Sequence, residues 1–179
     1  MARLLLIVTA LGPVVVNAQD PDSAFTNSLK VYIALHRSSA NGLAPPTDPA
    51  AIEQRTAVLA ARIRNGRKNA RAGDILGPAA PRIREAVRVE IGGPQGAAIR
   101  SSIDEDNVYG ILPRLNHRYP PGLPRATMPT AILLKLPSLP EELEFRFLGR
   151  SLVLIDKHAG LVVDVLHDVL PAGPTRPTS

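Results

Sequence analysis

Histidines, serines, paired carboxylates and a run of arginines are the residues of this chain that could do chemistry. The histidines are His36, His117, His158 and His167. His158 follows Asp156 by two positions and His167 lies between Asp164 and Asp168, so each has nitrogen and oxygen ligands close in sequence. Neither forms a His-x-x-x-His pair or another zinc spacing, and no metal site is expected. His36 and Arg37 close a helix, where an imidazole near the C-terminus has a structural reading. His117, between Asn116 and Arg118 in a proline-rich stretch, is the one catalytic candidate, because functional residues collect on loops. It would serve a cofactor-free hydrolase with a distant carboxylate; the competing reading is a histidine that satisfies buried carbonyls. Ser101, Ser102, Ser138 and Ser151 lack the Gly-x-Ser-x-Gly turn of a nucleophile elbow. Glu141-Glu142 could act as acid and base only inside a cleft. Gly92-Gly93-Pro94-Gln95-Gly96 lacks the lysine of a phosphate loop. No cofactor is expected.

Arg62, Arg64, Arg67, Lys68 and Arg71 make the densest charge cluster, followed by Arg82, Arg84 and Arg88. Arg64, Arg67, Lys68 and Arg71 are the candidate anion-binding residues, suited to an acidic envelope polymer or a phosphate. Against that stands a structural reading. Cations at a helix C-terminus are favoured by about 0.3–1 kcal/mol, and Glu85 can pair with Arg82 or Arg88 at three-residue spacing. Asp74 is expected to cap or turn the chain before the next helix.

Composition narrows the function classes. There is no cysteine, which excludes disulfides, thiol nucleophiles, thiolate zinc sites and a lipidated cysteine anchor. Tryptophan is absent, and three Tyr and three Phe supply a poor stacking platform, so nucleic acid is not an expected partner. Residues 1–18 have the layout of an export signal: Arg3 as the positive region, Leu4 to Leu11 as the apolar region, and Val16-Asn17-Ala18 as the cleavage site. Cleavage is expected between Ala18 and Gln19, leaving a secreted or periplasmic chain. The apolar run falls short of the ~20 residues that span a bilayer, so the mature form should have no membrane span. The net charge of +5, or +4 without Arg3, argues only for weak attraction to anionic surfaces.

The elements that must position these residues fall into three zones. Leu29, Tyr32, Ile33 and His36 recur at helical spacing within Pro21 to Arg37. After a loop at 38–47, Asp48-Pro49 caps a second helix running to about Asn65, with a buried stripe of Ile52, Thr56, Leu59 and Ile63 and a left-handed close at Asn65-Gly66. A third helix starts at Pro78, carries Ile83, Val87 and Ile91 on one face, and stops at Gly92-Gly93-Pro94. From Pro94 to Pro140 the prolines come too often for a sheet, which predicts ordered irregular structure. Within it a short helix at Gly96 to Ser102, with Asp104, Glu105 and Asp106 exposed after it, and two helical turns between Pro129 and Pro137 are expected. Leu143, Phe145 and Phe147 then alternate with Glu144 and Arg146, and Gly149-Arg150 suits a type II′ hairpin. Leu152 to Ile155, apolar on both faces, reads as a central strand, and a turn at 157–160 leads into a third strand, Leu161 to Leu166.

Three segments resemble a family of uncharacterised exported bacterial proteins: Arg71-Ala72-Gly73-Asp74-Ile75, Asn116-His117-Arg118-Tyr119-Pro120, and Pro140 to Arg146 leading into Gly149-Arg150-Ser151-Leu152-Val153-Leu154. The resemblance implies export and a single shared fold, and carries no functional residue with it.

The expectation is an α+β protein: about three N-terminal helices packed on a small C-terminal three-stranded antiparallel meander, with the proline-rich segment between. Residues 19–170 form one domain, and 171–179 form a disordered tail. The expected role is a non-catalytic binding or structural component of the envelope that acts through contacts with an envelope or secreted protein. The outer strands of the sheet offer edges that another chain could join.

Overall fold

A computed structural model describes residues 20–120, 122–124 and 128–171. The signal and cleavage site expected at 1–18, and the tail beyond Pro171, lie outside the described residues. The architecture is α+β, with helices in the N-terminal half and a three-stranded antiparallel sheet of order β1-β2-β3 at the C-terminal end.

Helix α1 spans Pro21–Ala40 and α2 spans Pro49–Gly66. Both begin with an aspartate whose side chain accepts a backbone N–H, Asp20 from Ser23 and Asp48 from Ala51, followed by proline at a position where no donor is lost. α1 buries Phe25, Leu29, Tyr32, Ile33 and His36, the stripe its period predicts. α2 departs from expectation at both ends. Ile52 is 54% exposed, because the helix buries its stripe only from Leu59 onward, and its first two turns project past the core. Its C-cap is Arg67 at φ −124°, so no left-handed residue closes it.

α3 (Ala80–Gly92) buries Ile83, Ala86 and Val87. The short helix expected after it is a full one: α4 runs Gly96–Asp106. Ile99 and Ile103, four residues apart and both buried, carry the helix past Ser102, so Ser101-Ser102 are not its end and the acidic residues 104–106 form its last turn. Among the described residues the helical layer therefore holds four helices of three or more turns, the fourth from the segment expected to be largely irregular. The two turns after Pro129 are present, as α5 (Thr130–Leu133) and a further bond from Leu136 N to Ile132 O at 3.2 Å. α1 packs on α2, and α3 packs on α4 and α5.

The strands are β1 (Leu143–Leu148), β2 (Ser151–Asp156) and β3 (Leu161–Leu166). Leu148 pairs with Ser151 across a two-residue loop whose first member, Gly149, has φ +58°, as a type II′ turn requires. β2 and β3 are buried at every position because both faces are covered. On one face Phe147, Leu152, Leu154, Leu161 and Val163 join the helices in the main core. On the other, Val153, Ile155, Val162 and Val165 meet Tyr119, Ile111 and Leu123 of the irregular segment. Each fully buried Leu, Ile or Val contributes about 1.5–3 kcal/mol, so this second layer is a substantial part of the fold.

The irregular segment also closes one sheet edge. Asn116 N donates to Val162 O at 2.8 Å, Val162 N to His117 O at 2.9 Å, and Tyr119 N to Gly160 O at 2.9 Å. The β3 edge, expected to be open to another chain, is thus occupied by residues 116–119 of the same chain.

Candidate functional site

The chain's buried charges sit where α1, the end of α2 and the sheet meet. Tyr32 and His36, one helical turn apart, face the end of β2, where Asp156 continues the face of Leu152 and Leu154. Asp156 is fully buried and accepts four hydrogen bonds. Its Oδ2 accepts from Tyr32 Oη at 2.7 Å and from His36 Nδ1 at 2.6 Å; its Oδ1 accepts from the amides of His158 at 2.9 Å and Ala159 at 2.8 Å. Burial pushes its pKa up, but the bonds from His36, Tyr32 and Ala159 outweigh that and hold the carboxyl below its usual range. A carboxylate has no proton to give, so His36 carries hydrogen on Nδ1. Tyr32 is pushed far up, first by burial and then by the charge of Asp156, and stays a phenol donor. The His158 ring lies 5.5 Å from that of His36, tilted by 49°.

Asp164, also fully buried, is a purely backbone anchor. It accepts from Gly73 N at 2.6 Å, Ile75 N at 2.8 Å, Leu76 N at 2.6 Å and Val165 N at 2.8 Å. A register shift makes this possible: Leu154 pairs with Asp164 but Ile155 pairs with Val162, so β3 carries an extra residue. Val163 and Asp164 consequently both serve the helical side. Asp74 does turn the chain, accepting from Arg71 N at 2.7 Å.

Arg67 joins the two halves. Its Nη1 donates to Val163 O at 2.6 Å and to Asn116 Oδ1 at 3.3 Å, while Asn116 Nδ2 returns a bond to Arg67 O at 2.9 Å. The guanidinium carbon lies 5.2 Å from the centre of the Tyr32 ring, a cation–π contact. Burial draws the Arg67 pKa below the usual arginine value. Among the described residues it has no ion-pair partner. It lines two adjoining clefts. One, of about 560 Å³, runs along α1 with Asn27, Val31, Tyr32 and Leu35; the other, of about 430 Å³, includes Lys68 and Asn69, and Asp74 touches both.

No protein family, curated protein or solved structure matches this chain. Its site is therefore read from geometry alone.

The sequence candidates separate on this frame. The arginine cluster is not one patch. Arg62 ties down the end of α1 through Ser39 O at 3.0 Å and Asn41 O at 2.9 Å, Arg67 is half-buried, and Arg64, Lys68 and Arg71 are exposed. Arg82 pairs with Asp22, Arg88 with Glu85, and Arg84 caps the carbonyls of His167 and Asp168. His117 is exposed, its ring Nδ1 lies 2.9 Å from Leu115 O, and among the described residues no carboxylate pairs with it. Its neighbour Arg118 pairs with Glu53. Ser151 Oγ lies 3.2 Å from His167 Nδ1, yet the acid next to it in sequence, Asp168, pairs with Arg150. Sequence reasoning placed Tyr32 and His36 on one helical face, and Asp156 beside His158, but did not join them. The missing signal was a buried aspartate ending an otherwise apolar strand, which has to find donors somewhere.

Proposed function

We propose that this chain works outside the cytoplasm as a non-catalytic binding component of the cell envelope, engaging an acidic segment of a protein partner at the clefts that meet on Arg67. Arg67 carries this reading. It is a half-buried cation without an ion-pair partner among the described residues, both its hydrogen bonds leave through Nη1, and the clefts open against it. Asp164 and Asp74 offset part of the desolvation that Arg67 bears, an anion placed there would offset more of it, and Lys68 and Arg71 at the rim would steer it in past Asp74. Val31, 73% exposed, and Leu35 offer apolar contact along the same cleft.

The non-catalytic reading is supported by how the reactive groups are used. Asp156 and Asp164 each spend their oxygens on four donors, and His117 rests on a carbonyl. Among the described residues no carboxylate stands against His117, as the hydrolase reading would need. The export layout of residues 1–18 and the resemblance to exported proteins support the location.

The test is site-specific photo-crosslinking in envelope fractions, with the crosslinker at Val31 or Lys68 and, as a control, at Tyr109. One reproducible protein captured from the cleft positions, lost at high salt and in the Lys68→Glu/Arg71→Glu variant, is the expected result. Capture indifferent to salt and to that charge reversal would overturn the proposal, as would capture from Tyr109 alone.

A further inference from the structure

We infer that His36, Asp156 and His158 form a binding site for a divalent transition metal ion of the zinc type. Each offers one ligand atom, and the three atoms lie within 4.8 Å of one another. Two imidazole nitrogens and a carboxylate oxygen are a donor set that zinc-type ions accept, at about 2.0–2.2 Å.

Three observations favour an ion here over a merely structural cluster. Among the described residues the His158 ring has no hydrogen-bond partner, although it sits beside a second imidazole and a carboxylate. His36 and Asp156 are buried while His158 is exposed, so the site has a firm inner wall and an entry side where water can complete the coordination. The carboxylate is already held by an outer shell, since Tyr32 Oη fixes Oδ2 and the amides of His158 and Ala159 fix Oδ1.

Binding needs the other tautomer of His36: the Nδ1 hydrogen leaves to solvent and Nε2 takes one up, so the ring stays a neutral imidazole, and the freed nitrogen pair and one carboxylate lone pair go to the metal while the Tyr32 bond stays. Tetrahedral ligands at these bond lengths stand roughly 3.4 Å apart. His36 Nδ1 and Asp156 Oδ2 must therefore open from 2.6 Å, and the His158 ring must swing inward. His36 lies in the last turns of α1 and the exposed His158 in the Lys157–Gly160 turn, so the movement falls mainly on the His158 side chain. Among the described residues neither His117, resting on the Leu115 carbonyl, nor His167, bonded to Ser151, has a second imidazole beside it.

The experiment is equilibrium dialysis of the full chain against zinc alone, with affinity measured by competition with a chromophoric chelator. One zinc per chain is expected. His158→Ala, an exposed change that should leave the circular dichroism spectrum intact, should weaken binding by about tenfold or more. The His117→Ala/His167→Ala double variant should bind as the parent does. Because His36→Ala could unfold the chain, His36 is followed by NMR in the parent, where zinc should shift the imidazole signals of His36 and His158 and leave the other two unmoved. No binding, equal binding by His158→Ala, or shifts confined to His117 and His167 would overturn the assignment.

Discussion

Asp164→Asn is the sharpest probe of how this fold is held. The substitution keeps the shape of the side chain and converts one acceptor oxygen into an amide donor. Each carboxylate oxygen takes two backbone N–H groups, Oδ1 those of Gly73 and Val165, Oδ2 those of Ile75 and Leu76. Whichever way the amide turns, two donors then face a donor in a fully buried site. Hydrogen bonds to a charged group are worth about 1.5–3 kcal/mol each, and a buried donor left unsatisfied costs about 1–3 kcal/mol. These figures overlap, since each measures the same lost contact, so two losses come to about 3–5 kcal/mol. Against a total stability of about 5–15 kcal/mol that is a large fraction, and at roughly 2–4 °C per kcal/mol for a chain of this size the melting point should fall by about 10 °C. Urea unfolding followed by circular dichroism reads it directly, with Asp74→Asn, exposed and holding one amide, as the control that should cost under about 1 kcal/mol. A loss below about 1 kcal/mol for Asp164→Asn, or equal losses for the two variants, would refute the anchoring role.

The other consequences are equally accessible. A Cβ on Gly96 would stand 1.9 Å from the Ile91 carbonyl oxygen, backbone that cannot yield cheaply, so Gly96→Ala should destabilise the α3–α4 corner by more than 1 kcal/mol in the same urea assay, a cost of the size strained backbone carries. Gly122→Ala, with nothing within 4 Å of its Cβ among the described residues but a φ of +79°, should cost about 1 kcal/mol through backbone strain. In native-state hydrogen exchange the amides of Asn116, Tyr119 and Val162 should be protected to the same degree as those of the β2–β3 ladder. Fast exchange at Val162 with a protected ladder would show that residues 116–119 do not close the sheet edge.

The parts legible in the sequence were those with local causes. Asp48-Pro49 announces a helix start through two neighbouring side chains, and the alternation of Leu143, Phe145 and Phe147 followed by Gly149 announces a hairpin, because period and turn chemistry act within a few residues. The stripe of α1 was legible for the same reason. Ile52 misled because helical period marks a face without saying how far a neighbour extends along it. α4 was cut short because serines and acids at 101–106 read as a helix end, while burial of Ile99 and Ile103 decided otherwise.

The sequence by itself determined the class of the protein: helices first, a meander last, a proline-rich stretch between, no thiol chemistry, and a central strand apolar on both faces. Only the tertiary structure decided the polar centre. His36 and Asp156 are 120 residues apart, and Asp164 reaches the turn at 73–76 only because one extra residue in β3 moves it to the helical face. Residues 116–119 became a sheet edge despite the surrounding prolines because their free N–H and C=O groups met those of Val162 and Gly160. Helix and strand period are set by neighbours along the chain, whereas a buried charge is satisfied by whatever the fold brings to it, and no spacing in the sequence encodes that meeting.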